Sequence, residues 1–159
     1  MPNVTRLLVE NACYHVMTRG NQKQKVFLCD ADYGAYLAIL KKAKKKYRVL
    51  VYAYCLMPNH VLILVYLKVI CDISKFMHWL NRGYTYYFNA KYEKVGHLWQ
   101  GRFKSKPIIK DDYLLNCSEY IESNPVRAEL VGDISKYAWS SYKERCLSGK
   151  KYILDDMLF

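Results

Sequence analysis

Apolar positions along this chain recur with two different periods, and the switches between them mark out its elements. From Ala12 to Arg19 the alternation reads as a first strand, ended by the turn signal Gly20-Asn21. Tyr33, Leu37, Leu40, Ala43 and Tyr47 then recur at helical spacing, which predicts a helix starting at Asp30 or Asp32. Arg48 to Leu56, rich in Val and Tyr, predicts a strand. Pro58-Asn59 breaks it, and His60 to Leu67 predicts its hairpin partner. Ile73, Phe76, Met77, Leu80, Tyr84, Tyr87 and Phe88 keep helical spacing and predict a second amphipathic helix. Tyr92 to Gln100, with Gly96, reads as a loop, and Arg102 to Ile109 as a fourth strand. A third helix is predicted from Asp111-Asp112, which suit a helix cap, to Asn124. There Pro125 disfavours helical backbone in the residue before it. Trp139-Ser140-Ser141 is predicted to open a short final helix.

The order strand, helix, strand, strand, helix, strand, helix is that of a split βαβ unit. It predicts an α+β fold: a ferredoxin-like antiparallel sheet with helices packed on it. No repeat, low-complexity linker or composition break divides the chain, and its length suits one domain over residues 1–159. With 52% hydrophobic residues it can bury a core, which excludes a disordered class.

Charge narrows the partners. The 25 Lys and Arg outnumber the 14 Asp and Glu, a net charge of +11 that points to a polyanion. Sixteen Tyr accompany that charge; most belong to the core or its edge, but basic surface interleaved with rings suits single-stranded nucleic acid. Arg102, Lys104 and Lys106 alternate along the predicted fourth strand and would share one face, a track for a phosphate backbone. The run Lys41, Lys42, Lys44, Lys45, Lys46 allows two readings, a nucleic-acid contact or cations placed favourably at a helix C-terminus. Six cysteines are scattered without a Cys-x-x-Cys pair, so a structural zinc site is not expected. Met1-Pro2-Asn3 leads into a mixed segment without a secretory apolar core, and no run approaches membrane-spanning length. The expectation is a cytoplasmic protein with reduced thiols and no membrane partner.

Two segments carry candidate chemistry. In Tyr120-Ile121-Glu122-Ser123-Asn124-Pro125 a tyrosine and an asparagine stand four apart, so on a helix they share a face. Tyr113 and Cys117 extend that stripe, and Leu114, Ser118 and Ile121 form the neighbouring core stripe. In Met57-Pro58-Asn59-His60-Val61-Leu62 a histidine enters an apolar strand. If His60 projects into the volume shared by Tyr120 and Asn124, a phenol stands beside a partial metal site. Position 62 would face the same way as His60, and there the chain has Leu62, which ligates nothing.

The ordered segments resemble the HUH single-tyrosine transposases, the insertion-sequence 200-like class, most of all its REP-associated tyrosine transposase branch. The matching text is Tyr14-His15-Val16 with Arg19-Gly20-Asn21; Ala53 to Val61 (AYCLMPNHV); Leu98 to Ser105 (LWQGRFKS); Tyr120 to Ala128 (YIESNPVRA); and Trp139-Ser140-Ser141-Tyr142. It spans nearly the whole chain. The resemblance implies an HUH endonuclease type of fold. It also implies that a tyrosine attacks a phosphodiester of single-stranded DNA, leaving a 5′-phosphotyrosine link and a free 3′-OH, with Mg²⁺ or Mn²⁺ as Lewis acid. By that resemblance Tyr120 is the nucleophile, and His60 and Asn124 are metal ligands. Arg19, Arg102, Lys104, Lys106 and Arg127 contact DNA, the substrate is single-stranded or hairpin DNA, and the protein acts as a homodimer. The family's second metal histidine falls at Leu62. His15 fits the family's first-strand pattern, in which it need not be a ligand.

Three readings follow. The first is a nuclease and ligase of single-stranded DNA, and the second a degenerate member that binds hairpin DNA with weak or no cleavage because of Leu62. The third is a basic RNA-binding module, which ranks last because the familiar RNA-binding motif of such sheets is not evident.

Overall fold

The structure, a computed structural model, describes residues 12–67, 73–108, 111–147 and 150–157. Four strands, β1 (Cys13–Arg19), β2 (Val49–Met57), β3 (His60–Leu67) and β4 (Lys104–Ile108), form one sheet in the order β2-β3-β1-β4, every pair antiparallel. Helices α1 (Asp30–Tyr47) and α2 (Ile73–Tyr92) lie on one face, α3 (Asp111–Glu122) on the other, and α4 (Asn124–Arg127) follows α3. This is the split βαβ arrangement the residue pattern predicts.

The periodicities do their expected work. Tyr14 and Val16 of β1 and Val61, Ile63 and Val65 of β3 join the core under α1 and α2. Cys13, Leu62 and Leu64 face the other way, into a smaller cluster with Leu114 and Ile121 of α3. Strand β2 needs help to serve both faces. A bulge between Val51 and Ala53 shifts its parity, so that Val49, Val51, Tyr54 and Leu56 line the first core while Ala53, Cys55 and Met57 line the second.

Boundaries differ in three instructive places. Arg48 is not the first strand residue but the left-handed cap of α1, at φ 53°. Arg102 lies before β4 rather than in it, and the predicted strand end at Ile109 falls outside the described residues, as do the side chains of the predicted caps Asp111 and Asp112. Finally, α3 stops at Glu122, and Asn124 opens a separate short helix with Pro125 in its first turn, where the missing proline N–H costs nothing. The tail predicted to open a helix at Trp139 instead pairs with β2: Leu56 N donates to the Trp139 carbonyl (2.8 Å) and Ser141 N to the Tyr54 carbonyl (2.9 Å). A single π-helical turn follows at Lys143–Leu147.

The lysine run at the end of α1 is largely engaged within the chain. Lys44 pairs with Asp155 (2.5 Å), Lys41 sits 4.0 Å over the Tyr152 ring, and Lys46 approaches Tyr47 and Trp79. Among the described residues no helix is long and apolar enough to cross a membrane.

Candidate nucleic-acid cleavage site

The face of the sheet under α3 gathers most of the predicted residues. Register fixes this: Arg19 pairs with His60, Met17 with Leu62 and His15 with Leu64, so all six side chains point to the α3 side. On β4, Lys106 pairs with His15 and Lys104 with Met17, which adds two exposed cations to the same face. Above them lies α3, held down by Leu114, Ser118 and Ile121, all buried as their spacing predicts.

Tyr120 stands at the edge of that contact, 52% exposed. Its ring meets His15 edge-on, centroids 6.2 Å apart and planes at 76°. His60 lies four residues along β3 from the partner of His15, about 13 Å at about 3.3 Å per residue. Met17 and Leu62 occupy the strip between them. Tyr120 and His60 thus overlook one sheet face, and the immediate neighbour of the phenol is His15. Tyr113, the competitor on the same helix, is 60% exposed.

The end of the tyrosine helix is built with care. The Arg127 guanidinium lies 3.9 Å over the Tyr120 ring and donates from Nη2 to the Tyr120 carbonyl (2.7 Å), which Ser123 Oγ also approaches (3.2 Å). These donors satisfy a carbonyl at the end of the helix. Glu122, two residues on, is 5% exposed and accepts from Ser141 Oγ (2.7 Å) and Arg145 Nε (2.9 Å). The tail is therefore what clamps α3. Spacing alone did not single out Glu122, Ser141 or Arg145. The available signal was a carboxylate next to the buried Ile121, which demands a partner.

The His60 ring is held in one orientation by its neighbour. Its Nδ1 donates to Asn59 Oδ1 (2.7 Å), while Asn59 Nδ2 reaches the Lys23 carbonyl (3.5 Å) and so fixes the amide orientation. That leaves Nε2 with the free lone pair. Burial, and then the Arg19 charge, lower its pKa and favour the neutral ring. Leu62 is 3% exposed among apolar side chains. Among the described residues no three His, Cys, Asp or Glu side chains gather as a metal group. The two expected ligands supply one imidazole nitrogen, from His60, and one amide oxygen, from Asn124, so by donor chemistry they meet the needs of a hard divalent ion only in part. Asn124 is half-buried at the start of α4, so the simple four-residue step from Tyr120 on one continuous helix does not hold.

Arg102 is separated from Lys104 and Lys106. It lines a cleft of about 750 Å³ between α2 and the loop into β4, with Asn81, Arg82, Tyr86, Lys94 and Trp99. That loop is tied to the end of β1, where Trp99 bridges Gly20 and Gln100 N donates to the Arg19 carbonyl (2.8 Å). The cleft and the His60 end of the sheet are thus joined through Arg19.

Two examples represent the solved structures that share this fold. One, a REP-associated tyrosine transposase bound to a REP hairpin, superposes with a TM-score of 0.81 at 18% identity, covering 99% of this chain and 92% of that one. The other, a Deinococcus radiodurans R1 protein assigned as a transposase, gives 0.53 at 17% identity, covering 77% of this chain and 97% of that one. Among curated proteins, none matches the chain by sequence. The family model described as "Transposase IS200 like" matches residues 8–124, most of the chain. The chain is a member of the IS200-like transposase family.

Proposed function

We propose that this transposase cuts and rejoins single-stranded or hairpin DNA through a phosphotyrosine link on Tyr120. The observation that carries the reading is the half-exposed Tyr120 standing over a sheet face that also bears His60 and is fringed by Lys104 and Lys106. The similar REP-associated transposase is bound to a REP hairpin, which favours hairpin DNA as the partner here. Lys104, Lys106 and Arg19 would take backbone phosphates at the site, Arg127 would hold the tyrosine, and Arg102 would act from the cleft with Arg82 and Lys94. Mg²⁺ or Mn²⁺, held by His60 and Asn124, would supply Lewis-acid polarisation of the scissile phosphate. The chain itself orients the phenol, neutralises phosphate charge and keeps the cut ends in place for rejoining. The protein would act in the cytoplasm as a homodimer in which either copy's Tyr120 can face a given His60.

Leu62 favours a second reading, a member that binds hairpin DNA and cuts it poorly, because it removes one donor from the ion. Incubation with a hairpin carrying single-stranded flanks and Mn²⁺, followed by denaturing electrophoresis, separates the two. The first reading requires a covalent adduct that is lost in Tyr120→Phe and kept in Tyr113→Phe. Persistence in Tyr120→Phe overturns the assignment of the nucleophile, and binding without adduct establishes the second reading. Mixing Tyr120→Phe with His60→Ala chains tests the dimer: restored activity requires sites shared between copies.

A further inference from the structure

We infer that His15 is the general base for Tyr120, taking the phenolic proton at Nε2 as the tyrosine attacks DNA. This rests on the cleavage reading above and adds to it a residue that the metal chemistry does not include.

Three observations converge on this imidazole. Its ring packs edge-on against Tyr120, at 6.2 Å between centroids. Its Nε2 is buried and has no hydrogen-bond partner among the described residues. That nitrogen has given up water without gaining a partner, which leaves its lone pair free to take a proton. The third observation is its surroundings. From β4 comes Lys106, directly opposite; from α3 come the Tyr120 phenol and the Cys117 thiol; from β3 comes the apolar Leu64. Among the described residues no carboxylate acts on this ring to stabilise an imidazolium. Burial first, and then Lys106, lower the pKa of His15, so the ring rests neutral and able to accept a proton.

His15 does not replace the missing metal histidine. It sits about 13 Å along the sheet from His60, whereas ligand bonds to one ion are about 2 Å. Its neighbour is the nucleophile instead. A phenol ordinarily ionises near pH 10, so attack at neutral pH gains from an acceptor on the adjoining ring, with which the Tyr120 hydroxyl makes no hydrogen bond until it turns towards Nε2.

The step balances. The Tyr120 O–H proton passes to His15 Nε2, and the phenolic oxygen bonds to phosphorus. The bond from phosphorus to the 3′ oxygen breaks with its electron pair, and that oxygen takes a proton from water. On rejoining, a 3′-OH gives its proton to water and attacks phosphorus, and the departing phenolic oxygen recovers its proton from the imidazolium. Lys106 beside His15 would meet the charged phosphate in both directions.

The test is single-turnover adduct formation on the flanked hairpin from pH 5 to 9, with the wild type and His15→Gln. Gln fills similar space and accepts a hydrogen bond but not a proton. The adduct rate is expected to fall about 100-fold or more at pH 7, while hairpin affinity stays within about twofold as a check that the variant is folded. At saturating Mn²⁺, where a bound ion would keep His60 unprotonated, the acid limb of the wild-type profile should vanish in His15→Gln, leaving a rate that climbs towards pH 9. In the wild type, the NMR titration midpoint of His15 should coincide with that acid limb. Equal rates and equal profiles in both proteins overturn the inference and leave Tyr120 cleavage standing, as does a His15 midpoint more than a unit from the limb. If the wild type forms no Tyr120 adduct at all, the cleavage reading falls and takes this inference with it.

Discussion

Glu122 and Arg145 form an ion pair, 2.9 Å between Oε1 and Nε, that fastens the tyrosine helix to the C-terminal tail. The same guanidinium donates to the Tyr52 carbonyl on β2, so tail, helix and sheet meet at one carboxylate. Removing one partner leaves the other partly buried without its counter-charge. Glu122→Ala is expected to cost about 2–3 kcal/mol, below the usual loss for a fully buried pair because Arg145 keeps some solvent contact. Glu122→Gln, which keeps an acceptor for Ser141, should recover part of that. Urea unfolding of Glu122→Ala, Arg145→Ala and the double variant measures the coupling. Simple additivity would show that the pair contributes nothing of its own.

Leu62→His restores a donor two residues from His60, on the same face. The expected result is a gain in Mn²⁺-dependent cleavage with hairpin affinity unchanged. It should come with a stability loss of about 1–3 kcal/mol, because an imidazole enters the cluster of Met57, Leu64 and Ile121 without a ready partner. Equal cleavage by the wild type and Leu62→His, each across a Mn²⁺ titration, would show that Leu62 imposes no handicap.

How far the residues alone reveal this site depends on what kind of information each feature needs. Strands and helices were legible because Val61, Ile63 and Val65, or Phe76, Leu80 and Tyr84, keep one period over a long run. That His60 and Leu62 share a face follows from alternation within β3. That His15 joins Tyr120 does not, because it depends on the register of β1 against β3 and on where α3 crosses the sheet, both long-range facts. The β2 bulge is hidden for a related reason: the segment Val51-Tyr52-Ala53 is apolar throughout, so a change of parity leaves no trace in the pattern. Alternation groups Arg102 with Lys104 and Lys106, but alternation holds only inside a strand, and β4 begins two residues later.

Asp32 predicts an acid-sensitive joint on the far side of the sheet. Its side chain is fully buried, bonded to Lys91 Nζ (2.8 Å), the Tyr87 hydroxyl (2.9 Å), the Tyr92 hydroxyl and Leu28 N (2.9 Å), and it ties the start of α1 to the end of α2. Burial pushes the carboxyl pKa up, but the Lys91, Tyr92, Leu28 and Tyr87 donors together hold it well below the usual carboxylate range. Because the folded value lies below the unfolded one of about 3.9, the stabilisation is fully present above about pH 4. It is lost as pH falls through the folded value. Asp32→Asn should therefore destabilise by about 2–4 kcal/mol at pH 7. The gap to wild type, read from urea midpoints, should narrow as the pH drops below 4, and a constant gap would show that the charge is irrelevant.

Lys104 and Lys106 should act through phosphate and not through base sequence. Both are exposed on the edge strand, and register places them beside Met17 and His15 on the face of the proposed site. Each phosphate contact on a single strand contributes about 0.7 to the slope of log affinity against log salt. Lys104→Ala with Lys106→Ala should then flatten that slope by about 1.4 on a single-stranded flank, and do so equally for different flank sequences. Lys45→Ala is the control, since Lys45 is exposed on α1 across the sheet from Tyr120. Its loss should leave the slope nearly unchanged. A larger effect from Lys45 than from the β4 pair would move the DNA track to the helical face, because a backbone bound there would not pass Tyr120.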